Sequence, residues 1–317
     1  MSGSMFRRFG SGRQTDNGAD QHDTTEVSVR HGAGIASEAE ILAGVDRLPA
    51  LPVVVTRLLA LVGSDMSSAS DMERLIGQDM VIAGKLLKLV NSPFYGMANE
   101  IRSISQAVAL IGFSSMRSLL LAVSTSDILN VQLAAYGFAP RGLWDNAMTT
   151  GSVAREIAKI SGRPGEIADE YFVAGLLRDV GMLVLSPILE RHNIILADRV
   201  DTTHDLIAAE RTAIGFDHCW TGMRVAEKWQ LPERLAFSIA RHHRIPSTCA
   251  DDRLHLVASV RLAERLVCKM GSGLTEHHPF RTAVDSSLLA ATGLQSDVFR
   301  NLVGRLPEIV EHARDGV

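Results

Sequence analysis

The chain has 317 residues, 46% of them hydrophobic, and a formal net charge of −4, which predicts about two domains with a substantial core. The slight acidity gives no broad electrostatic case for nucleic acid as a partner. No apolar run is read as reaching the roughly 18–20 residues of a membrane helix, and no apolar stretch follows Arg7 and Arg8 as a secretory signal would require.

Residues 1–36 are rich in Gly, Ser, Asp, Thr and Gln and are expected to form a disordered tail. From Glu38 the period is helical, with Ile41, Leu42 and Val45 on one face. Leu48-Pro49-Ala50-Leu51-Pro52 makes a rigid turn, because each proline fixes its own φ and disfavours helix before it. A helix from Val53 stops near Gly63. Ser70 to Glu73 has the capping-box pattern for the helix carrying Leu75 and Ile76. Asp79 is placed to cap a helix through Ile82, Leu86 and Val90, which Asn91-Ser92-Pro93 ends. Phe94-Tyr95-Gly96 follows as a compact loop. Ser103 to Gln106 repeats the capping box, Gly112 closes that helix, and Ser114 or Ser115 starts a long one through Ile128.

The second half continues in the same way. A loop with Gly137 and Pro140 leads to a helix over Leu143–Ile160, and the turn at 161–165 leads to the next. Thr203 is expected to cap 204–214 and Asp217 a helix from His218. Pro232 suits the first turn of a helix that reaches Arg241-His242-His243-Arg244 and ends at Pro246. A strong helical pattern spans Leu254 to Met270. Short helices from about Ser286 and Ser296 finish the chain, with Pro307 expected to split the last. With no strand alternation, the pattern predicts an all-α, two-lobed helical bundle. The expected division is an N-terminal bundle over 37–135, a second bundle over 136–250, and helices of 251–317 packed on the latter. Cys219, Cys249 and Cys268 lack paired zinc spacing and are read as thiols of a reducing cytosol.

The stretch Tyr171-Phe-Val-Ala-Gly-Leu-Leu-Arg-Asp-Val-Gly-Met-Leu-Val-Leu185 is apolar apart from Arg178-Asp179. Two adjacent charges in such a run are costly unless they pair or bind something. Its context resembles Ala-Gly-Leu-Leu-His-Asp-Ile-Gly-Lys of the HD phosphohydrolases, with arginine for histidine and Met182 for lysine. Three further stretches, Leu48-Pro-Ala-Leu-Pro, Gly77 through Asn91-Ser-Pro-Phe-Tyr-Gly96, and Ile104-Ser-Gln-Ala-Val-Ala-Leu-Ile-Gly-Phe113, resemble the HDOD family. That family is a bacterial regulatory relative of the HD hydrolases. The resemblance runs from about Leu48 to His243, and it implies an all-α fold and a signalling role without implying a reaction.

The resemblance also gives each HD metal ligand an address. The first histidine corresponds to Asn146, the His-Asp pair to Arg178-Asp179, and the late aspartate to Val260. Arginine has no lone pair to donate to a metal, and valine offers no donor atom. Arg178 is therefore expected to pair with Asp179 or a nearby carboxylate as an internal counter-ion, with no metal or other cofactor and no catalysis at this position. His218, Arg241, His242, His243 and Arg244 remain as candidate contacts for an anion or a cyclic nucleotide. Adjacent helical side chains point about 100° apart, so one of His242 and His243 is expected inside and the other at the surface.

Asn91, Ser92, Phe94 and Tyr95 form the candidate partner-binding loop, with the aromatics as anchors and Asn91 and Ser92 closing the preceding helix. The favoured reading is a non-catalytic cytoplasmic bacterial signalling protein that binds a protein partner, without nucleic acid or membrane. Its rivals are a cyclic-dinucleotide phosphodiesterase of HD type and a receptor that binds cyclic di-GMP without cleaving it.

Overall fold

The computed structural model describes residues 34–60, 69–93, 95–163, 165–196, 205–245, 252–270 and 286–315. Among them the chain is helical, with an isolated bridge between Leu133 and Phe138 as its extended pairing. The N-terminal helices are α1 (Glu38–Arg47), α2 (Val53–Ala60), α3 (Ala69–Ile76), α4 (Met80–Val90) and α5 (Ile104–Leu129). Next come α6 (Gly142–Ile160), α7 (Gly165–Leu177) and α8 (Met182–Arg191). The rest are α9 (Leu206–Ile214), α10 (His218–Lys228), α11 (Glu233–Arg241), α12 (Asp252–Met270), α13 (Ser286–Ala291) and α14 (Ser296–Asp315).

The local signals explain most of these boundaries. Asp79 accepts hydrogen bonds from the Val81 and Ile82 amides at 3.1 Å. Ser103 accepts from Gln106 N while the Gln106 side chain accepts from Arg102 N, so the helix entry is closed from both sides. Gly112 has φ 83° and ψ 165°, which breaks α5 into two helical pieces where the glycine was expected to stop the first. Asp217 caps α10 through Trp220 N at 2.8 Å.

Other expectations fail. Ser70 lies inside α3 and does not cap it, and Glu73 accepts a hydrogen bond from Ser105 of α5. The expected cap Thr203 lies outside the described residues, and Asp205 caps α9 through Ala208 N. Pro307 sits inside a continuous α14, since a helix bound along its length can lose one backbone hydrogen bond without ending.

The helices α2, α3 and α4 pack on α5, and α5 packs in turn on α7. Around the α6–α7 pair lie α12, α14 and α11. Gly151 and Gly175 set the α6–α7 approach, since a Cβ on Gly175 would come within 2.8 Å of Gly151 Cα. The first helix departs from the expected division: α1 packs on α8 and α10 rather than with its sequence neighbours. Lys228 at the end of α10 donates to the carbonyls of Val45, Asp46 and Leu48, and Trp229 Nε1 donates to Pro49 O at 2.9 Å. A lysine thus satisfies carbonyls at the C-terminus of α1, where the helix dipole favours a cation.

By length and mean hydropathy, Ile104–Leu129 and Ile167–Arg191 could each cross a membrane, contrary to the expectation that no run is long enough. The second window is 94% buried within the protein and consists of two helices, α7 and α8, separated by the turn Arg178–Gly181. Its apolar character is that of a core.

Candidate functional site

The turn between α7 and α8 places Arg178 and Asp179 at the centre of the second half, where both are almost wholly buried. Gly181 makes this possible. A Cβ there would lie 2.1 Å from the His218 carbonyl oxygen, so only glycine lets the start of α10 close on the turn.

Arg178 turns both terminal nitrogens to one side of this turn, while its buried Nε makes no hydrogen bond. Its Nη2 forms an ion pair with Asp179 Oδ2 at 2.7 Å and donates to Asn146 Oδ1 on α6, and Nη1 donates to Gly175 O at 3.0 Å. The pairing expected from the sequence is present. Val260 is buried on α12 and contributes no polar atom. At the four HD addresses, Asn146 Oδ1 and Asp179 Oδ2 are turned toward a permanent cation, so no metal fits between those two oxygens.

The other oxygen of Asp179 faces the opposite way. Oδ1 makes no hydrogen bond and lies 3.4 Å from His242 Nε2 and 3.6 Å from His218 Nε2. The two Nε2 atoms are 3.3 Å apart. Asp179, His218, His242 and His243 each offer a donor atom, and the four atoms lie within 4.8 Å of one another. This corrects two readings of the sequence. His242 and His243 do not divide between core and surface, because α11 ends at Arg241 and His243 lies beyond the helical register. The expectation that the chain offers no metal ligand set is corrected by this second group, which shares Asp179 with the HD addresses.

Each histidine is fixed by a second contact. His218 Nδ1 meets both oxygens of Glu210 at 2.8 and 2.9 Å, and Glu210 also accepts from His218 N and from Tyr136 OH. His242 Nδ1 lies 2.9 Å from Ile239 O. Arg261 donates to His243 Nδ1 at 2.9 Å and pairs with Glu264 at 2.6 Å.

The electrostatics follow from these contacts. Burial pushes the Asp179 carboxyl up, but Arg178 and then the two histidines override it and hold it well below the usual carboxylate range. Burial opposes charge on His218, yet Glu210 and Cys219 together outweigh it and raise the imidazole well above its ordinary value. On His242 burial is overridden by Cys219 and Asp179, to about 9. Burial and then Arg261 push His243 well below the ordinary histidine value.

The expected anion-binding group does not form one surface. His218 and His242 are 0% exposed, whereas Arg241 is half-buried and Arg244 exposed. Nor does the Asn91–Gly96 loop present Tyr95 as a free anchor. Its ring lies under the Arg155 guanidinium at 4.9 Å, and burial pushes its hydroxyl above the ordinary phenol range. Arg155 is itself fixed to buried Asp169 at 2.6 Å, which makes this a packed junction between the loop and α6–α7. Phe94 lies outside the described residues. Asn91 and Ser92 do close the preceding helix. Asn91 donates to Leu87 O and Ile101 O and accepts from Ile101 N, while Ser92 donates to Leu89 O.

Glu210, Glu264, Arg261 and Tyr136 were not anticipated from the sequence. Glu210 carried a legible signal, since it falls on the apolar face of α9 with Leu206, Ile207, Ala213 and Ile214, where a charge needs a partner.

A profile of the HDOD domain matches residues 48–245. An uncharacterised protein of Treponema pallidum (strain Nichols) is 29% identical over 233 residues, which is 72% of this chain but 44% of that protein. The chain thus spans less than half the length of that relative. Among solved structures, an HDOD domain protein of unknown function from Geobacter sulfurreducens is similar with a TM-score of 0.70 at 24% identity, covering 88% of this chain and 96% of that one. A Marinobacter aquaeolei VT8 protein whose name assigns it provisionally to signal transduction gives a TM-score of 0.67 at 19% identity, with 93% and 68% covered. At these identities the structures establish a shared fold.

Proposed function

The chain belongs to the HDOD family, and from that premise we propose that it is a non-catalytic signalling protein of the bacterial cytoplasm that acts by binding a protein partner. The observation that supports this reading is the placement of Arg178. Its guanidinium pairs with Asp179 Oδ2 and donates to Asn146 Oδ1, and so occupies the space between those two HD addresses. A hydrolase of the HD type needs metal there to polarise phosphate and generate hydroxide. A fixed guanidinium supplies charge but cannot bind or activate a water nucleophile as a metal does. The signalling role rests on the family and on the name of the Marinobacter neighbour, and partner binding is what remains to such a protein once chemistry is removed.

Incubation of the purified chain with cyclic di-GMP, with manganese or iron added, is expected to leave the nucleotide intact. Turnover that disappears in Asp179→Asn would overturn the non-catalytic reading. Affinity capture from the native organism is expected to recover one protein in near-stoichiometric amount. Recovery of none would remove the partner reading.

A further inference from the structure

The side of Asp179 turned away from Arg178 holds an arrangement that the non-catalytic reading does not use. His218 and His242 each have one ring nitrogen already assigned. A carbonyl oxygen can only accept, so His242 Nδ1, 2.9 Å from Ile239 O, carries a proton. His218 Nδ1 lies against both oxygens of the Glu210 carboxylate and carries one for the same reason. In their neutral forms both Nε2 atoms therefore present lone pairs. Those lone pairs face each other at 3.3 Å, together with the unbonded Oδ1 of Asp179. With both rings neutral, three acceptors converge where neither histidine is exposed, an arrangement that is unfavourable unless a proton or a metal cation lies between them.

The dimensions suit a metal ion. The three atoms form a triangle with edges of 3.3, 3.4 and 3.6 Å, and the circle through such points has a radius of about 2.0 Å, close to the metal–ligand distances of zinc sites. An ion near the centre would reach all three donors without moving them. The outer contacts also match what ligating histidines require, with Glu210 orienting one ring and a backbone carbonyl the other.

His243 differs from the other two. Arg261 can only donate, so His243 Nδ1 accepts from it, and in the neutral ring Nε2 bears the proton. That nitrogen, 3.5 Å from Glu264 Oε1, points a hydrogen rather than a lone pair.

We propose that Asp179, His218 and His242 hold one borderline divalent transition metal, such as zinc, with His243 outside the ligand set. Two imidazoles and one carboxylate favour such an ion over magnesium or calcium, which prefer all-oxygen shells. The ion ties the α7–α8 turn to the first residue of α10 and the residue following α11, so its effect is on the stability of this half of the protein. Arg178 keeps its own oxygen of Asp179. This site shares Asp179 with the HD addresses but uses its other oxygen, and the non-catalytic reading is decided by the nucleotide assay.

The experiment uses the full chain with any affinity tag removed, stripped with a chelator, incubated with excess zinc or cobalt and then desalted. Elemental analysis should find about one zinc per chain, with a raised Tm. Cobalt should give visible d–d absorption. His218→Gln, His242→Gln and Asp179→Asn should each cut the retained metal at least about tenfold, and His243→Gln should keep it. Wild-type protein that retains no metal and shows no Tm shift overturns the proposal. So does stoichiometric metal that persists in a folded His242→Gln protein. If the ligand variants do not fold, the proposal stands or falls on the wild-type metal content and on its retention in His243→Gln.

Discussion

The two oxygens of Asp179 sit in different chemical surroundings a few ångströms apart. Oδ2 is held by an arginine that is itself bonded to Asn146 and Gly175. Oδ1 has no hydrogen bond and looks toward two imidazole nitrogens. On the first side, the neutralising charge is a fixed guanidinium. On the second, neutralisation depends on a proton or an ion that can come and go. The difference arises because guanidinium is a cation without a lone pair, whereas imidazole can be ligand, base or cation.

The largest effect is expected where the fixed charge is removed. Arg178→Ala leaves Asp179 Oδ2 and Asn146 Oδ1 buried without their donor, and should destabilise the protein by about 3–5 kcal/mol in urea melts. Adding Asp179→Ala should cost less than the sum of the two changes. Strict additivity would show that the two residues are not energetically coupled.

Glu210→Ala tests the support of the other side. It removes the acceptor of Tyr136 OH, His218 N and His218 Nδ1 together and should cost about 3 kcal/mol. Glu210→Gln should recover part of that, because its amide oxygen still accepts. A conservative variant no better than alanine would mean that charge, and not hydrogen bonding, is what His218 needs.

Tyr95→Ala leaves both sides of Asp179 intact and serves as the comparison remote from the site. Loss of its packing against Arg155 should cost roughly 2 kcal/mol and lower Tm by several degrees. An unchanged Tm would return Tyr95 to the role of an exposed partner anchor.

The smallest effect concerns acid. Burial pushes Glu264 up, but Arg261 and then Arg178 override it and bring its pKa to about 2, against an ordinary value of 4.5. A carboxyl whose folded pKa is depressed contributes stability above its unfolded pKa and loses it as pH falls. The loss should therefore develop as pH falls from about 4.5 to about 2. Glu264→Gln should flatten the stability profile in that window and leave its neutral-pH limb unchanged in shape. A profile as steep as the wild type would assign the acid sensitivity to other carboxylates.

Local chemistry explains why much of the fold was legible. The caps at Asp79, Ser103 and Asp217 act within three residues of themselves, and Gly112 breaks a helix by its own φ, so the sequence around them is the whole cause. The apolar stretch around Arg178-Asp179 likewise announced a buried ion pair, since burial of so apolar a segment forces its charges to find each other. By itself the sequence determined that the protein is helical, that three of the four HD addresses carry Asn146, Arg178 and Val260, and that arginine stands beside the surviving aspartate. What it could not determine was direction. The packing of α1 on α10, the end of α11 that turns His243 inward with His242, and the approach of α10 to Gly181 each depend on residues far apart in sequence. Only that tertiary packing decided that one oxygen of Asp179 meets Arg178 while the other meets His218 and His242, because ligand convergence is set by distances of 3–4 Å between elements that no local pattern encodes.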